Sequence, residues 1–122
     1  MRVLIADDQP EVRSAIRLAM EHEGVDIVAE PTTASALIEE TRSTHPSVVL
    51  MDWELPGLGD CGTEERLVRI GEVLAQLRAA SPGGRVVAMS GRSGARAEAV
   101  ACGADDFLSK AGPTRYLLAM VR

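Results

Sequence analysis

The chain has 122 residues, which is enough for one domain with a single hydrophobic core. Its formal net charge of −5, from 13 basic and 18 acidic residues, argues against a surface that binds nucleic acid directly. No apolar run approaches the roughly 18 residues of a membrane span, and the N-terminus turns acidic too early for a signal peptide. We therefore expect a cytoplasmic domain with no membrane partner.

Strand-like and helix-like patterns alternate along the whole chain. Short apolar runs predict five strands, at residues 2–6, 25–29, 48–51, 85–89 and 106–109. Residues at helical spacing predict five helices between and after them: 10–22, one capped by Thr32 or Thr33 and stopped by His45, 63–80, 93–101, and one opened by Pro113. On the third of these helices, we expect Leu67, Ile70, Leu74 and Leu77 to face inward.

Strict alternation of strand and helix predicts an α/β fold, a five-stranded parallel sheet with helices on both faces. At this size the natural strand order is the flavodoxin-like order 2-1-3-4-5. In that order the first and third strands are neighbours. Polar residues that follow these two strands then meet at one edge of the sheet.

Acidic residues stand at the ends of both strands. Asp7 and Asp8 follow the first strand, and Asp52 ends the third, where it could also be an ordinary turn residue before Pro56 and Gly57. Three converging carboxylates repel one another unless they are protonated or share a cation. Oxygen ligands of this kind suit Mg²⁺, which commonly bridges carboxylates to a phosphoryl group. We therefore expect a Mg²⁺ site at this edge.

Ser90 and Lys110 end the fourth and fifth strands at the same edge. Taken singly, Ser90 could be a turn residue and Lys110 a solvated charge. Together with the three acids they form a set in which a hydroxyl and an ammonium could bind phosphoryl oxygens.

Four motifs carry a resemblance to a known family: ADD at 6–8, LMDWELPG at 50–57, VVAMSG at 86–91 and GADDFLSK at 103–110. With these motifs the sequence resembles a response-regulator receiver domain of two-component signalling, over residues 1–122. The resemblance implies that Asp52 accepts a phosphoryl group from a histidine kinase or a phosphotransfer protein.

The resemblance also implies the ligands of the metal. Asp8, Asp52 and the backbone carbonyl of Glu54 would bind Mg²⁺, and Asp7 would act through a water molecule. The domain would support only its own phosphorylation and dephosphorylation, so we expect no enzyme activity on free substrates.

Ser90 and Lys110 would contact the phosphoryl oxygens, and Phe107 would be the aromatic residue whose rotamer follows that contact. A phosphoryl group adds up to about two negative charges. Ser90 can move to meet them and vacate space for Phe107, which would shift the face made by helix four, strand five and helix five. That face would control an output domain or a partner, and it is where a homodimer could form.

Two further residues flank the predicted site. Glu54 lies two positions after Asp52, and Arg92 two positions after Ser90, so we expect both side chains at the mouth of the crevice. They could pair and modulate the lifetime of the phosphoryl group, or they could be two solvated charges.

The sequence departs from the family in the segment 59–74, which makes the spacing from Asp52 to Ser90 longer than usual. We expect either a solvated, longer third helix or extra surface for a partner. The last helix is short at Arg122, which suggests that an output domain, such as a DNA-binding one, follows; a receiver that acts alone is the alternative.

Two other functions remain open. A pseudo-receiver would keep the fold as an interaction module without carrying phosphate, and it usually lacks an acid or the lysine. A small Mg²⁺-dependent phosphatase would need a second acid–base group near Asp52, for which Glu54 is the spare candidate.

Overall fold

The computed structural model describes residues 1–121, so the predicted end of the domain and of its last helix at Arg122 lies outside the described residues. The strands are β1 (Arg2–Ala6), β2 (Asp26–Ala29), β3 (Val48–Asp52), β4 (Arg85–Ser90) and β5 (Asp106–Ser109). The helices are α1 (Pro10–Met20), α2 (Ala34–Thr44), α3 (Glu64–Ala80), α4 (Ala95–Cys102) and α5 (Thr114–Val121). Among residues 1–121, no helix has both the length and the hydropathy to cross a bilayer.

The strands form one parallel sheet in the order β2-β1-β3-β4-β5. This confirms the predicted α/β fold with the flavodoxin-like order. Ala6 of β1 is in register with Met51, and Asp52 is in register with Met89 of β4. The carboxyl ends of β1, β3 and β4 therefore lie side by side.

Helices cover both faces of the sheet, which confirms the predicted layers. On one face, Leu4, Val49 and Met51 pack in a core with residues of α2, α3 and α4. On the other face, Val3 and Leu50 pack in a second core with residues of α1 and α5. All five residues of β3 are buried, because this central strand is covered from both sides.

Two helix boundaries differ from the predicted ones by two residues. Helix α1 ends at Met20 rather than at residue 22, since Glu21 leaves the helical angles with a ψ of 132° and His22 follows with a positive φ of 70°. Helix α4 begins at Ala95 rather than at residue 93, after Gly94 with a φ of 86°. The predicted cap of α2 is Thr33, whose side chain accepts a hydrogen bond from the backbone of the first turn.

The inward face of α3 was predicted incorrectly at its start. Leu67 is 47% exposed, whereas Arg66 beside it is only 1% exposed. Further along the helix, Ile70 and Leu74 are buried as expected. The first turn of this longer helix thus presents a charged side chain to the interior, while its outer face, with Leu67 and Val68, is exposed.

Asp105, which directly precedes β5, connects this strand to β4 and α3. Its Oδ2 accepts hydrogen bonds from the backbone N–H of Val86 at 2.7 Å and from Arg78 Nη1 at 3.0 Å. Burial raises the pKa of Asp105, but these hydrogen bonds and the nearby arginine charges outweigh burial, so the net shift of its pKa is downward. The ionised carboxylate therefore stabilises the folded protein.

Replacement of Asp105 should produce a pH-dependent loss of stability. A group with a lowered pKa contributes stability above its unfolded pKa, about 4 for aspartate, and this is lost as the pH falls through the folded value. Asp105→Asn should lower the free energy of unfolding by about 0.5–1 kcal/mol at neutral pH, because the pair is solvent-screened, and the difference from the parent should shrink below about pH 4. Urea unfolding at pH values from neutral to below about 4 measures this difference. Asp26→Asn, at the exposed start of β2, is the control. A difference that stays constant down to the lowest pH would contradict the assignment.

Candidate functional site

The structure brings the three predicted acids together at the carboxyl edge of the sheet. Asp7 and Asp8 follow the last residue of β1, and Asp52 is the last residue of β3. Their carboxylate oxygens lie within 4.8 Å of one another. Asp7 and Asp52 are buried, whereas Asp8 is exposed and leaves the cluster open to solvent. The predicted convergence of these residues is confirmed.

Lys110 lies against two of these carboxylates. Its Nζ is 2.8 Å from Asp7 Oδ2 and 3.2 Å from Asp52 Oδ1. Burial lowers the pKa of Lys110, but the hydrogen bonds and negative charges of Asp7 and Asp52 outweigh burial and raise its pKa overall. The ammonium group is therefore charged at neutral pH. It is positioned by its own backbone, whose N–H donates to the carbonyl of Ser90 at 3.0 Å.

Asp52 is held in an environment that opposes its ionisation. Burial raises the pKa of Asp52, and the charge of Asp7 raises it further. The backbone N–H of Glu54, which donates to Asp52 Oδ1 at 3.0 Å, and the nearby Lys110 lower it, but the net shift of the pKa is upward. An additional cation at this place would therefore be bound favourably, because it relieves the repulsion.

The donor set fits Mg²⁺. Three carboxylates face one ammonium group, so negative charge is in excess, and all the candidate ligands are oxygens. Asp7, Asp8 and Asp52 are the residues whose side chains could hold the ion. The predicted role of the Glu54 backbone carbonyl stays a prediction.

Ser90 lies at the same edge, but its hydroxyl is bound to a glutamate. Its Oγ donates to Glu54 Oε1 at 2.7 Å and accepts from the backbone N–H of Arg92 at 2.9 Å. Arg92 Nε is 3.5 Å from Glu54 Oε2, so the predicted pairing of these two side chains is present. The hydrogen bond between Ser90 and Glu54 was not predicted. In this state the serine hydroxyl is engaged by a side chain of the protein itself.

Two residues near the site, Arg66 and Glu98, were not predicted from the sequence. Arg66 is buried and donates to the backbone carbonyls of Trp53 and Gly59. Its Nε also lies 3.2 Å from Oε1 of Glu98 on α4. The only signal in the sequence was the unusual length of residues 59–74, which does not identify a partner.

Phe107 of β5 points into the interior. It is 7% exposed and packs in the same core as Ala95 and Ala99 of α4. The guanidinium of Arg96 lies over its ring, 4.8 Å from the centroid. The aromatic ring is thus in the inward position beside α4, and its predicted part in switching stays a prediction.

The comparisons with known proteins agree with this fold. Residues 3–122 match the family described as the response regulator receiver domain. The chain therefore belongs to the receiver domains of response regulators, the signalling proteins of two-component systems, whose general function is phosphorylation-dependent switching.

Individual relatives include the response regulator GacA of Pseudomonas viridiflava, 33% identical over 70 residues, which are 57% of this chain and 33% of GacA. The transcription regulator BvgA of Bordetella pertussis is 33% identical over 70 residues, which are 57% of this chain and 34% of BvgA. The chain thus matches about a third of the length of these relatives.

The solved signal receiver domain of NarL from Mycobacterium tuberculosis is similar in structure. It superimposes with a TM-score of 0.78 at 25% sequence identity, over 98% of this chain and 91% of that one.

Trp53 offers a way to detect the metal. It is the only tryptophan, it directly follows Asp52, and its backbone N–H donates to the carbonyl of Met89 at 2.8 Å. Titration with Mg²⁺ should therefore change its fluorescence, and Asp8→Ala should abolish the response because one of few carboxylate ligands is lost. Asp26→Ala, at the opposite edge of the sheet, is the charge-matched control. Identical titrations in parent and Asp8→Ala would remove Asp8 from the metal site.

Proposed function

We propose that the domain is a signalling switch that accepts a phosphoryl group on Asp52 from a histidine kinase or phosphotransfer protein, with Mg²⁺. The observation that carries this proposal is the position of Asp52, a buried carboxylate with Lys110 at 3.2 Å and two further acids within reach of the same ion. No acid and no lysine of the expected set is missing, which is why a pseudo-receiver is not favoured.

In the proposed reaction, a carboxylate oxygen of Asp52 forms a bond to phosphorus while the bond from phosphorus to the donor breaks. The N–H of Glu54 and the ammonium of Lys110 both contact Oδ1, so Oδ2 is the oxygen left to attack. Mg²⁺ would neutralise charge on the phosphoryl oxygens. The ammonium group of Lys110 would bind a phosphoryl oxygen during the transfer. The reaction needs no further covalent participation by the protein.

Switching requires the hydroxyl of Ser90 to change its partner. It now donates to Glu54, and it would turn to an oxygen of the new phosphoryl group, which is a stronger acceptor. Phe107 could then follow into the vacated space, and the face formed by α4, β5 and α5 would shift. Such a change is a shift in population between two states of one fold.

We further propose that this face regulates an output domain or a partner. BvgA is named a transcription regulator, so a DNA-binding output domain outside this chain is one candidate. A homodimer through α4, β5 and α5 is another consequence of the proposal. The domain would have no enzyme activity beyond its own phosphorylation and dephosphorylation.

Removal of the acceptor tests the proposal directly. Incubation with a small phosphodonor and Mg²⁺ should add one acid-labile phosphate to the parent, and Asp52→Asn should abolish it, since an amide oxygen is a far weaker nucleophile. Mass spectrometry of the intact protein measures the addition. Asp26→Asn serves as control for loss of one acid. Equal labelling of the Asp52→Asn variant would mean that another residue is the acceptor.

The pair of Glu54 and Arg92 should affect the lifetime of the phosphoryl group. Both side chains are about one-third exposed, so their attraction contributes only about 0–1 kcal/mol to folding. They nevertheless stand at the crevice through which the attacking water must pass. We expect Glu54→Ala and Arg92→Ala each to speed autodephosphorylation severalfold, and the double variant to show less than the sum of the two effects.

Decay of the labelled protein measures these rates. Variants of the exposed pair Arg85 and Asp106, which stand at the starts of β4 and β5 and so at the far end of the sheet, are the matched control. Strictly additive effects would show that Glu54 and Arg92 do not act together.

A further inference from the structure

Arg66 is a buried arginine that the proposed phosphorylation chemistry does not use. It lies in the first turn of α3 and is 1% exposed. Its guanidinium donates to the carbonyl of Trp53, to the carbonyl of Gly59 at 3.3 Å and to Glu98 Oε1 at 3.2 Å. A buried guanidinium is unfavourable unless it is paired and hydrogen-bonded. Its three acceptors, on the loop after β3 and on α4, are therefore held in place together.

One end of this arrangement is the peptide between Trp53 and Glu54. The carbonyl of this peptide accepts from Arg66 Nη2, and its N–H donates to Asp52 Oδ1 at 3.0 Å. Both groups belong to one planar unit, so fixing the carbonyl also fixes the direction of the N–H. Arg66 thus orients the donor that holds the acceptor carboxylate, without touching that carboxylate itself.

The other end is Glu98 on α4. Its Oε1 accepts from Trp53 Nε1 at 2.7 Å and from Arg66 Nε at 3.2 Å, and Arg92 Nη2 lies 3.5 Å away. Arg92 also pairs with Glu54, the partner of Ser90. The carboxylate of Glu98 is therefore connected to Trp53 directly and to Glu54 through Arg92.

We propose that Arg66 is a positioning residue that couples the acceptor loop, residues 52–59, to helix α4 through Glu98. A displacement of α4 removes the acceptor of Arg66 Nε and loosens the Trp53–Glu54 peptide. A displacement of that peptide conversely loosens α4. This connection uses neither Ser90 nor Phe107 as a member, although Arg92 joins Glu98 to Glu54, the partner of Ser90. Only its use in switching rests on the proposed function, because the contacts exist in the unphosphorylated protein.

Hydrogen exchange of the unphosphorylated full chain, without Mg²⁺, tests the coupling. Glu98→Ala removes the acceptor of both Arg66 Nε and Trp53 Nε1, so amide exchange should rise by about tenfold both in α4 and in the acceptor loop. Arg66→Met leaves the bond from Trp53 to Glu98 in place, and it should still raise exchange in the loop, because the carbonyl of Trp53 loses its donor. Glu98→Gln keeps an oxygen that can accept from Trp53 Nε1, so it should produce a smaller rise. Trp53 emission should change in the same order.

Glu65→Ala is the matched control, because it removes an exposed acid from the first turn of α3. Exchange in the acceptor loop that is the same in Glu98→Ala and Glu65→Ala would overturn the proposal, even if α4 itself exchanged faster. Where Glu98→Ala does not fold, the double variant with Arg66→Met and Glu98→Leu leaves no buried charge unpaired. It should fold and still show faster exchange in the acceptor loop, and a loop protected as in the parent would overturn the coupling.

A second arm separates this inference from the proposed function. Mg²⁺ with beryllium trifluoride serves as a phosphoryl probe, and it should raise α4 exchange in the parent but add little in Glu98→Ala. A parent that does not respond, beside a Glu98→Ala variant with a loosened loop, would leave the coupling standing and contradict the phosphoacceptor. If the parent responds and the loop of the Glu98→Ala variant exchanges like that of the control, the phosphoacceptor stands and the coupling is contradicted.

Discussion

Two buried carboxylates at the edge of the sheet share one ammonium group, which offsets part of their mutual repulsion. Lys110 Nζ contacts both Asp7 and Asp52, at 2.8 and 3.2 Å. The three residues end or follow β5, β1 and β3, so their meeting requires the parallel arrangement and the strand order of the whole sheet. The charge balance of this edge thus depends on the topology, and a bound cation would complete it.

Around this edge, charged side chains already make hydrogen bonds with one another and with Ser90. Glu54 accepts from Ser90 and lies near Arg92 and Arg66, while Glu98 accepts from Trp53 and Arg66. A new phosphoryl group would therefore compete with existing acceptors rather than enter an empty site. The resting state of the domain is defined by these contacts as much as by the packing of its core.

Prediction from the sequence succeeded at the strand ends and failed where distant charges pair. Apolar runs that stop at Asp7, Asp52, Ser90 and Lys110 identify one edge of a parallel sheet, and the structure places these residues there. Hydrophobic spacing placed Leu67 inside, but it cannot detect that Arg66 has a partner 32 residues away. The last residue of α1 and the first residue of α4 were misplaced because they depend on the backbone angles at Glu21, His22 and Gly94, which hydrophobic spacing does not show. The roles of the site residues remain predictions, because they concern a phosphorylated state.

The sheet divides the interior into two cores that draw on different helices. Residues of α2, α3 and α4 pack on one face, and residues of α1 and α5 on the other, with alternate residues of each inner strand assigned to each side. Changes that are well separated and share no partners tend to act additively. Substitutions in the two cores whose side chains share no contact should therefore change the free energy of unfolding additively. The acidic edge, in contrast, is connected to one layer in particular, because Glu98 of α4 accepts from Trp53, the residue beside Asp52.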